Sequence, residues 1–242
     1  MLEFKTDSNS FQATLAGKKT AELWGLALSP RTLVDRPDLN IRASIAFTPL
    51  HAFVGENASG KTRLLNALAE QQRAATKATP DDFLNNKTQE ERQAIHHTLR
   101  AFFPEVKDIF RDPLRIYWDD GRITPLLSSS NGLGCCFVLA ITCHGSAGKT
   151  VFIESPEEGL DPRRIVIMMK LLRERAERGS PVVITTHSPL VLNELEPPEV
   201  SVVTRRDGLI QTTPIAETPD FEERSKVYAL GELWLLHTME DA

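Results

Sequence analysis

The chain has 242 residues, a net charge of -5, and 41% hydrophobic and 25% charged residues. That is the balance of an ordinary folded α/β protein rather than a disordered, fibrous or disulfide-stapled one. No apolar run approaches the ~20 residues of a membrane-crossing helix, and the N-terminus MLEFKTDSNS lacks the basic-then-apolar order of a signal peptide, so the sequence predicts a cytoplasmic protein with no membrane partner. The acidic balance gives no support to nucleic-acid binding, while leaving a local basic patch open.

In chain order, residues 1 to about 20 read as a loose end or an edge strand. Partial alternation from Glu22 to Ala46 picks out Arg31 to Asp35 and Leu39 to Phe47 as strands of an antiparallel flap. The apolar run Leu50-His51-Ala52-Phe53-Val54 then enters Gly55-Glu56-Asn57-Ala58-Ser59-Gly60-Lys61-Thr62, and Arg63-Leu64-Leu65-Asn66-Ala67-Leu68-Ala69 opens a helix. Strand, G-x-x-x-x-G-K-T loop and helix are the order a triphosphate requires. Glycines let the backbone wrap close to the anion, and successive N–H groups point inward at a helix N-terminus. Gly55, Asn57, Ala58, Ser59 and Gly60 would form the cradle for ATP, Lys61 would reach the β- and γ-phosphates, and the Thr62 hydroxyl would bind Mg²⁺. The bland alternative, a Gly-Ser turn beside a chance Lys-Thr, is opposed by the strand before the loop and the amphipathic helix after it. That helix is expected to bury Leu64, Leu65 and Leu68, turn polar through Gln71 to Lys77 and stop near Pro80, making about four turns.

From Asp81 to Asp112, apolar residues at Phe83, Leu84, Ile95, Leu99, Phe102, Phe103 and Val106 recur at helical intervals and predict a small helical insertion. His96 and His97 are adjacent there and so point to different faces, which favours surface or core packing over a metal site. Leu114 to Trp118 and Ile123 to Leu126 flank Asp119-Asp120-Gly121-Arg122 as a hairpin. Ser128-Ser129-Ser130-Asn131 caps a helix whose start, Gly132-Leu133-Gly134, continues into the apolar Cys135 to Ile141, and that helix is expected to be buried. Gly132-Leu133-Gly134 is no dinucleotide loop, because the third glycine is missing and no strand directly precedes it. Cys143 to Thr150 imitates a phosphate loop but lacks the first glycine and leads into a strand. Cys135, Cys136 and Cys143 beside His144 lack a second ligand pair for zinc and read as buried small hydrophobes.

Thr150 to Ile153 reads as a buried parallel strand ending at Glu154-Ser155-Pro156-Glu157-Glu158-Gly159-Leu160-Asp161-Pro162, with Glu154 placed to hold Mg²⁺ or its waters. Arg163 to Arg178 forms a helix with an apolar stripe (Ile165, Val166, Met168, Met169, Leu172) and a basic flank read as a solvated face. Pro181 to Thr186 is another buried strand, with His187 just past its carboxyl end, where ligands of open α/β sheets lie. Val200 to Arg205 and Leu209 to Thr212 close a hairpin over Arg206-Asp207-Gly208. A last helix from about Phe221 to His237 would pack through Tyr228, Leu230, Leu233 and Trp234.

Four motifs in this order, GENASGKT (55 to 62), SSSNGLG (128 to 134), VFIESPEEGLDP (151 to 162) and ITTHSP (184 to 189), resemble the ABC-type ATPase heads of SMC, RecF and overcoming-lysogenization-defect proteins and the small AAA family ATPases of bacterial defence systems, over roughly residues 40 to 206. The resemblance implies a single domain over 1–242: a phosphate-loop NTPase with a mainly parallel sheet flanked by helices, an antiparallel β flap, a helical insertion at about 81–112 and a C-terminal hairpin and helix at about 200–240. It implies a homodimer sandwiching two ATP molecules, in which Ser130 and the Gly132 N–H of one copy cap the γ-phosphate held by the partner copy's phosphate loop. Thr62 and Glu154 would hold the metal, His187 would sense the γ-phosphate, and Leu160-Asp161 would link the two sites.

Three departures from that family stand in the sequence. Glu154-Ser155 replaces the usual Asp-Glu pair, so either Glu157 or Glu154 orients the attacking water or hydrolysis is slow. The metal-watching glutamine is unassigned among Gln71, Gln72, Gln89 and Gln93. The segment from 63 to 130 is too short for a long coiled coil. The expected function is ATP binding and hydrolysis that drives a separately encoded effector or a nucleic-acid transaction, in phage defence or DNA metabolism. The alternatives are a non-hydrolysing ATP-gated assembly module and a small-molecule phosphate-loop kinase.

Overall fold

At the centre of the computed structural model, strand β3 (Leu50–Val54) is buried at every position. It pairs in parallel with β8 (Val182–Thr186) on one side and β9 (Val200–Arg206) on the other. Both neighbours are rich in Val, Ile and Thr, whose branched side chains fill a pleated surface covered on both faces. The structure describes residues 32–71, 87–111, 114–126, 131–144 and 148–240. The expected loose N-terminal end and the far end of the phosphate-loop helix lie outside them, as do Phe83, Leu84, Gln72 and Ser128 to Ser130.

Seven strands make the main sheet, in the order β1 (Thr32–Arg36), β2 (Ile41–Ile45), β10 (Leu209–Pro214), β9, β3, β8, β7 (Val151–Glu154). The β7 to β9 half is parallel, and β1–β2 and β9–β10 are antiparallel hairpins, so the expected flap is the other half of one continuous sheet. Asp207 (φ 50°) and Gly208 (φ 80°) give the second hairpin the doubly left-handed turn that suits strand twist. β7 is half-buried rather than buried as expected, because it closes the edge of the sheet. Helix α1 (Lys61–Gln71) packs on β7 and β8, and its Leu64, Leu65 and Leu68 join Phe53, Val183 and Val203 in one core.

The chain folds as two compact units: Met1–Arg73, Ala147–Pro156 and Leu172–Ala242 form the first, and Ala74–Ser146 and Glu157–Leu171 the second. In the second unit, helix α2 (Gln89–Phe102) starts at a reciprocal cap, with Glu91 N–H on Thr88 Oγ1 at 3.2 Å and Thr88 N–H on Glu91 Oε2 at 2.8 Å. Pro104 ends it, because a proline disfavours helical geometry in the residue before it. Val106–Arg111 is therefore strand β4, a correction to the expected helix. It pairs antiparallel with β5 (Leu114–Trp118), which pairs with β6 (Ile123–Pro125). A bulge between Val106 and Asp108 places Val106 and Ile109 on one face three residues apart, a spacing that mimics a helical repeat. Helix α3 (Asn131–Cys143) is fastened to α2 at its far end, where His144 Nε2 lies 2.7 Å from Thr98 Oγ1 and Lys87 Nζ donates to the His144 carbonyl at 3.0 Å.

Helix α4 (Pro162–Glu177) buries Ile165, Met168, Met169 and Leu172, but Val166 is exposed, one position off the stripe. Its basic flank is only partly solvated: Arg175 is buried, and Arg173 grips Glu199 with bonds of 2.6 and 2.9 Å. The C-terminal helix is two pieces, α6 (Phe221–Arg224) and α7 (Leu230–Glu240), with Tyr228 exposed between them, not packed. The second piece starts afresh because Ala229 N–H bonds the Glu232 carboxylate at 2.8 Å and Gly231 docks on α5 (Pro189–Leu192). A Cβ on Gly231 would stand 2.2 Å from the Pro189 carbonyl oxygen. Among the described residues no helix is long and apolar enough to cross a membrane.

Candidate functional site

The loop from Gly55 to Thr62 leaves the carboxyl end of β3 and turns sharply into α1. Two of its residues take left-handed backbone, Ala58 (φ 64°) and Gly60 (φ 103°), a conformation that costs a side-chain-bearing residue energy and marks a constrained turn. Gly55 and Gly60 are also required by packing. A Cβ on Gly55 would meet the Val203 carbonyl at 2.4 Å, and one on Gly60 would meet Ile210 Cδ1 at 2.4 Å. Ser59 is buried inside the turn, and its N–H closes on the Glu56 carbonyl at 3.3 Å.

Lys61, the first residue of α1, is only 7% exposed. Its ammonium curls over the loop, donating to the carbonyls of Gly55 at 2.9 Å and Glu56 at 2.7 Å. Burial pulls its pKa down to about 8, against the opposing pull of Glu154 and Glu56. The ammonium therefore occupies the space the loop encloses, where a phosphate would replace the carbonyls as its partner. Next along the helix, Thr62 Oγ1 donates to Glu154 Oε1. This brings the hydroxyl and carboxylate predicted to hold the metal side by side, and hard oxygens of this kind suit Mg²⁺.

A cavity of about 450 Å³ opens beside these groups, lined by Asn57, Ala58, Gly60, Lys61, Thr62 and Glu154, together with His187. Its volume falls within the range of small-molecule sites. Burial and the neighbouring Lys61 cation hold the His187 pKa below 6.5, so the imidazole is neutral at pH 7 and can act as hydrogen-bond partner without added charge. Arg63, Ser155, Thr185, Arg205 and Ile210 also line the cavity and were not identified from the sequence as site residues. Ser155 takes φ 42° and spends its N–H on Thr185, 3.0 Å from the carbonyl and 3.3 Å from Oγ1.

The remaining predicted residues belong to the second unit. Ser130 lies outside the described residues. Gly132, in the first turn of α3, is pressed against the acidic loop: a Cβ there would stand 2.4 Å from the Gly159 carbonyl oxygen. Cys135 one turn on has its thiol pKa raised by burial and by Glu157 and Glu158, which places Glu157 near that helix start.

Residues 77–193 match a family described as AAA domain, putative AbiEii toxin, Type IV TA system. The match spans the SSSNGLG, VFIESPEEGLDP and ITTHSP segments but begins after the phosphate loop. Among solved structures, the SMC head domain from Thermotoga maritima is 15% identical with a TM-score of 0.52, over 72% of this chain and 93% of that one. The ATP binding subunit of an ABC transporter is 13% identical with a TM-score of 0.51, over 81% and 92%. No curated protein matches the sequence. The chain has the fold of an ABC/SMC-like phosphate-loop ATPase head, as the four motifs imply.

Proposed function

We propose that this chain binds Mg-ATP in the cavity at the carboxyl ends of β3, β7 and β8, hydrolyses it, and uses the nucleotide to join two copies. The observation that carries the reading is convergence: Lys61, the Thr62–Glu154 pair and neutral His187 come from three separate strand ends and face one cavity. Lys61 would exchange the Gly55 and Glu56 carbonyls for β- and γ-phosphate oxygens. Thr62 and Glu154 would hold Mg²⁺, which supplies charge neutralisation at the phosphates. His187 would hydrogen-bond the γ-phosphate from the β8 side. The second copy's Ser130 and Gly132 would cap that phosphate, so that assembly depends on ATP and hydrolysis releases it. The output would pass to a separately encoded effector or to nucleic acid. The family description, which names a putative AbiEii toxin, supports a toxin-antitoxin or phage-defence setting.

Phosphate release and light scattering of the full chain test this together. Wild type should release phosphate above a Lys61→Ala control and double in mass with ATP. A chain that binds ATP yet stays monomeric overturns the shared site. A second reading, a nucleotide-gated switch with little turnover, is favoured by the cavity itself, in which Glu154 is the one lining carboxylate among the described residues and already faces Thr62, while Ser155 offers no general base. ATP-driven mass doubling without phosphate release selects it.

A further inference from the structure

The sheet order divides the surroundings of the phosphate loop into two flanks. β8 and β7, carrying His187 and Glu154, lie on one side of β3, and the β9–β10 hairpin lies on the other. The Thr62–Glu154 contact would set a metal, and with it the β- and γ-phosphates, towards the first flank. The second flank is built just as closely against the loop. The Val203 carbonyl on β9 abuts Gly55, Ile210 on β10 abuts Gly60, and Arg205 pairs directly across from Ile210. Arg205 follows Val203 by two residues and so shares its strand face; it is exposed, and it lines the cavity. Its Nε donates to the Gly208 carbonyl at 3.4 Å within its own hairpin, and its other guanidinium nitrogens carry further donors.

We infer that Arg205 is a nucleotide-binding residue that holds the nucleoside end of the ligand, through the α-phosphate and the face of the base, while Lys61 and the metal pair hold the other end. This deepens the Mg-ATP reading above and rests on it. The chemistry suits an arginine: a planar cation both pairs with a phosphate oxygen and stacks on an aromatic ring. Arg206, the next residue, points to the opposite face of β9 and is exposed, which makes it the natural control.

The test is titration of the full chain with Mg-ATP and, separately, with magnesium pyrophosphate, which has neither an α-phosphate nor a nucleoside. Arg205→Ala should weaken Mg-ATP binding roughly tenfold, the size of one charge-assisted contact. It should leave pyrophosphate binding within about twofold, and Arg206→Ala should change neither by more than that. Equal losses for both ligands, or an Arg206→Ala loss matching that of Arg205→Ala, overturn the assignment, as does unchanged Mg-ATP binding in Arg205→Ala. If wild type binds Mg-ATP no better than Lys61→Ala, the failure lies in the nucleotide reading itself.

Discussion

Helices α1 and α3 each begin beside a glycine that the surrounding chain presses on, yet they are furnished differently. At α1, Gly60 adopts φ 103°, and the first helical residue is a buried lysine whose ammonium fills the loop. At α3, Gly132 has its Cβ position blocked by the Gly159 carbonyl, and Cys135 one turn on feels the carboxylates of Glu157 and Glu158. The first helix end offers an anion a cation as well as N–H donors. The second offers packing precision beside negative charge, and under the proposed shared site it needs a phosphate already neutralised by Lys61 and Mg²⁺ of another copy. Under that proposal one end binds and the other reads what has been bound.

The sharpest way to break this contrast is Lys61→Ala, expected to lower Mg-ATP affinity at least ~100-fold in a binding titration, since it removes the buried cation of the cradle. Retained affinity would show that the first end is no different from the second. Gly132→Ala should leave Mg-ATP binding by the monomer intact while cutting ATP-driven dimerisation roughly tenfold or more. Forcing the Gly159 backbone aside should also cost about 1–3 kcal/mol in a urea melt. Its companion Gly134→Ala meets nothing within 4 Å and should cost nothing or stabilise by roughly 0.5–1 kcal/mol, as alanine for glycine in a helix does. A Gly132→Ala chain that melts like Gly134→Ala removes the packing half of the contrast.

Titration sharpens the first end further. Lys61 must be an ammonium to bind phosphate, and its pKa in the free chain is lowered to about 8. Affinity for Mg-ATP should therefore be flat below pH 8 and weaken above it, by up to about tenfold per pH unit. Constant affinity from pH 7 to 9.5 would contradict the buried-cation account.

A separate effect concerns the strand that feeds this loop. His51 on β3 is fully buried between Phe47 and Phe53, its Nε2 3.1 Å from Ser201 Oγ, and burial pushes its pKa from 6.5 down to about 3. Its folded pKa lies below its unfolded one, so the unfolded chain takes up the proton first. The stability it contributes is complete above pH 6.5 and is lost as pH falls from 6.5 towards 3, with a slope of up to ~1.4 kcal/mol per pH unit. Urea midpoints at pH 7 and pH 5 measure this directly, and His51→Asn should flatten the difference.

Much of the site could be read locally. The spacing of Gly55, Gly60, Lys61 and Thr62 places a loop, a cation and a hydroxyl within one turn of chain, so a short stretch of sequence specifies their geometry. Glu154 and His187 were legible as residues at the ends of apolar runs, because strand ends of parallel sheets converge on one crevice. β4 was not legible. A bulge gave Val106 and Ile109 a spacing of three, and only pairing with Ile116 and Trp118 reveals the strand. Nor was the break before α7, which depends on Gly231 lying against Pro189, 42 residues earlier in the chain.

By itself, then, the sequence determined the phosphate-loop pattern and most of the order of strands and helices, and pointed to a class of ligand, since these rest on turn geometry, periodicity and side-chain type within a few residues of one another. Tertiary structure alone decided that β9 and β10 insert beside β3. That insertion brings Val203, Arg205 and Ile210 against Gly55 and Gly60 from some 150 residues away and walls the cavity on that side. The physical reason is that strand pairing is chosen by hydrogen bonds and buried surface shared between distant segments, and neither partner carries a local mark of the other.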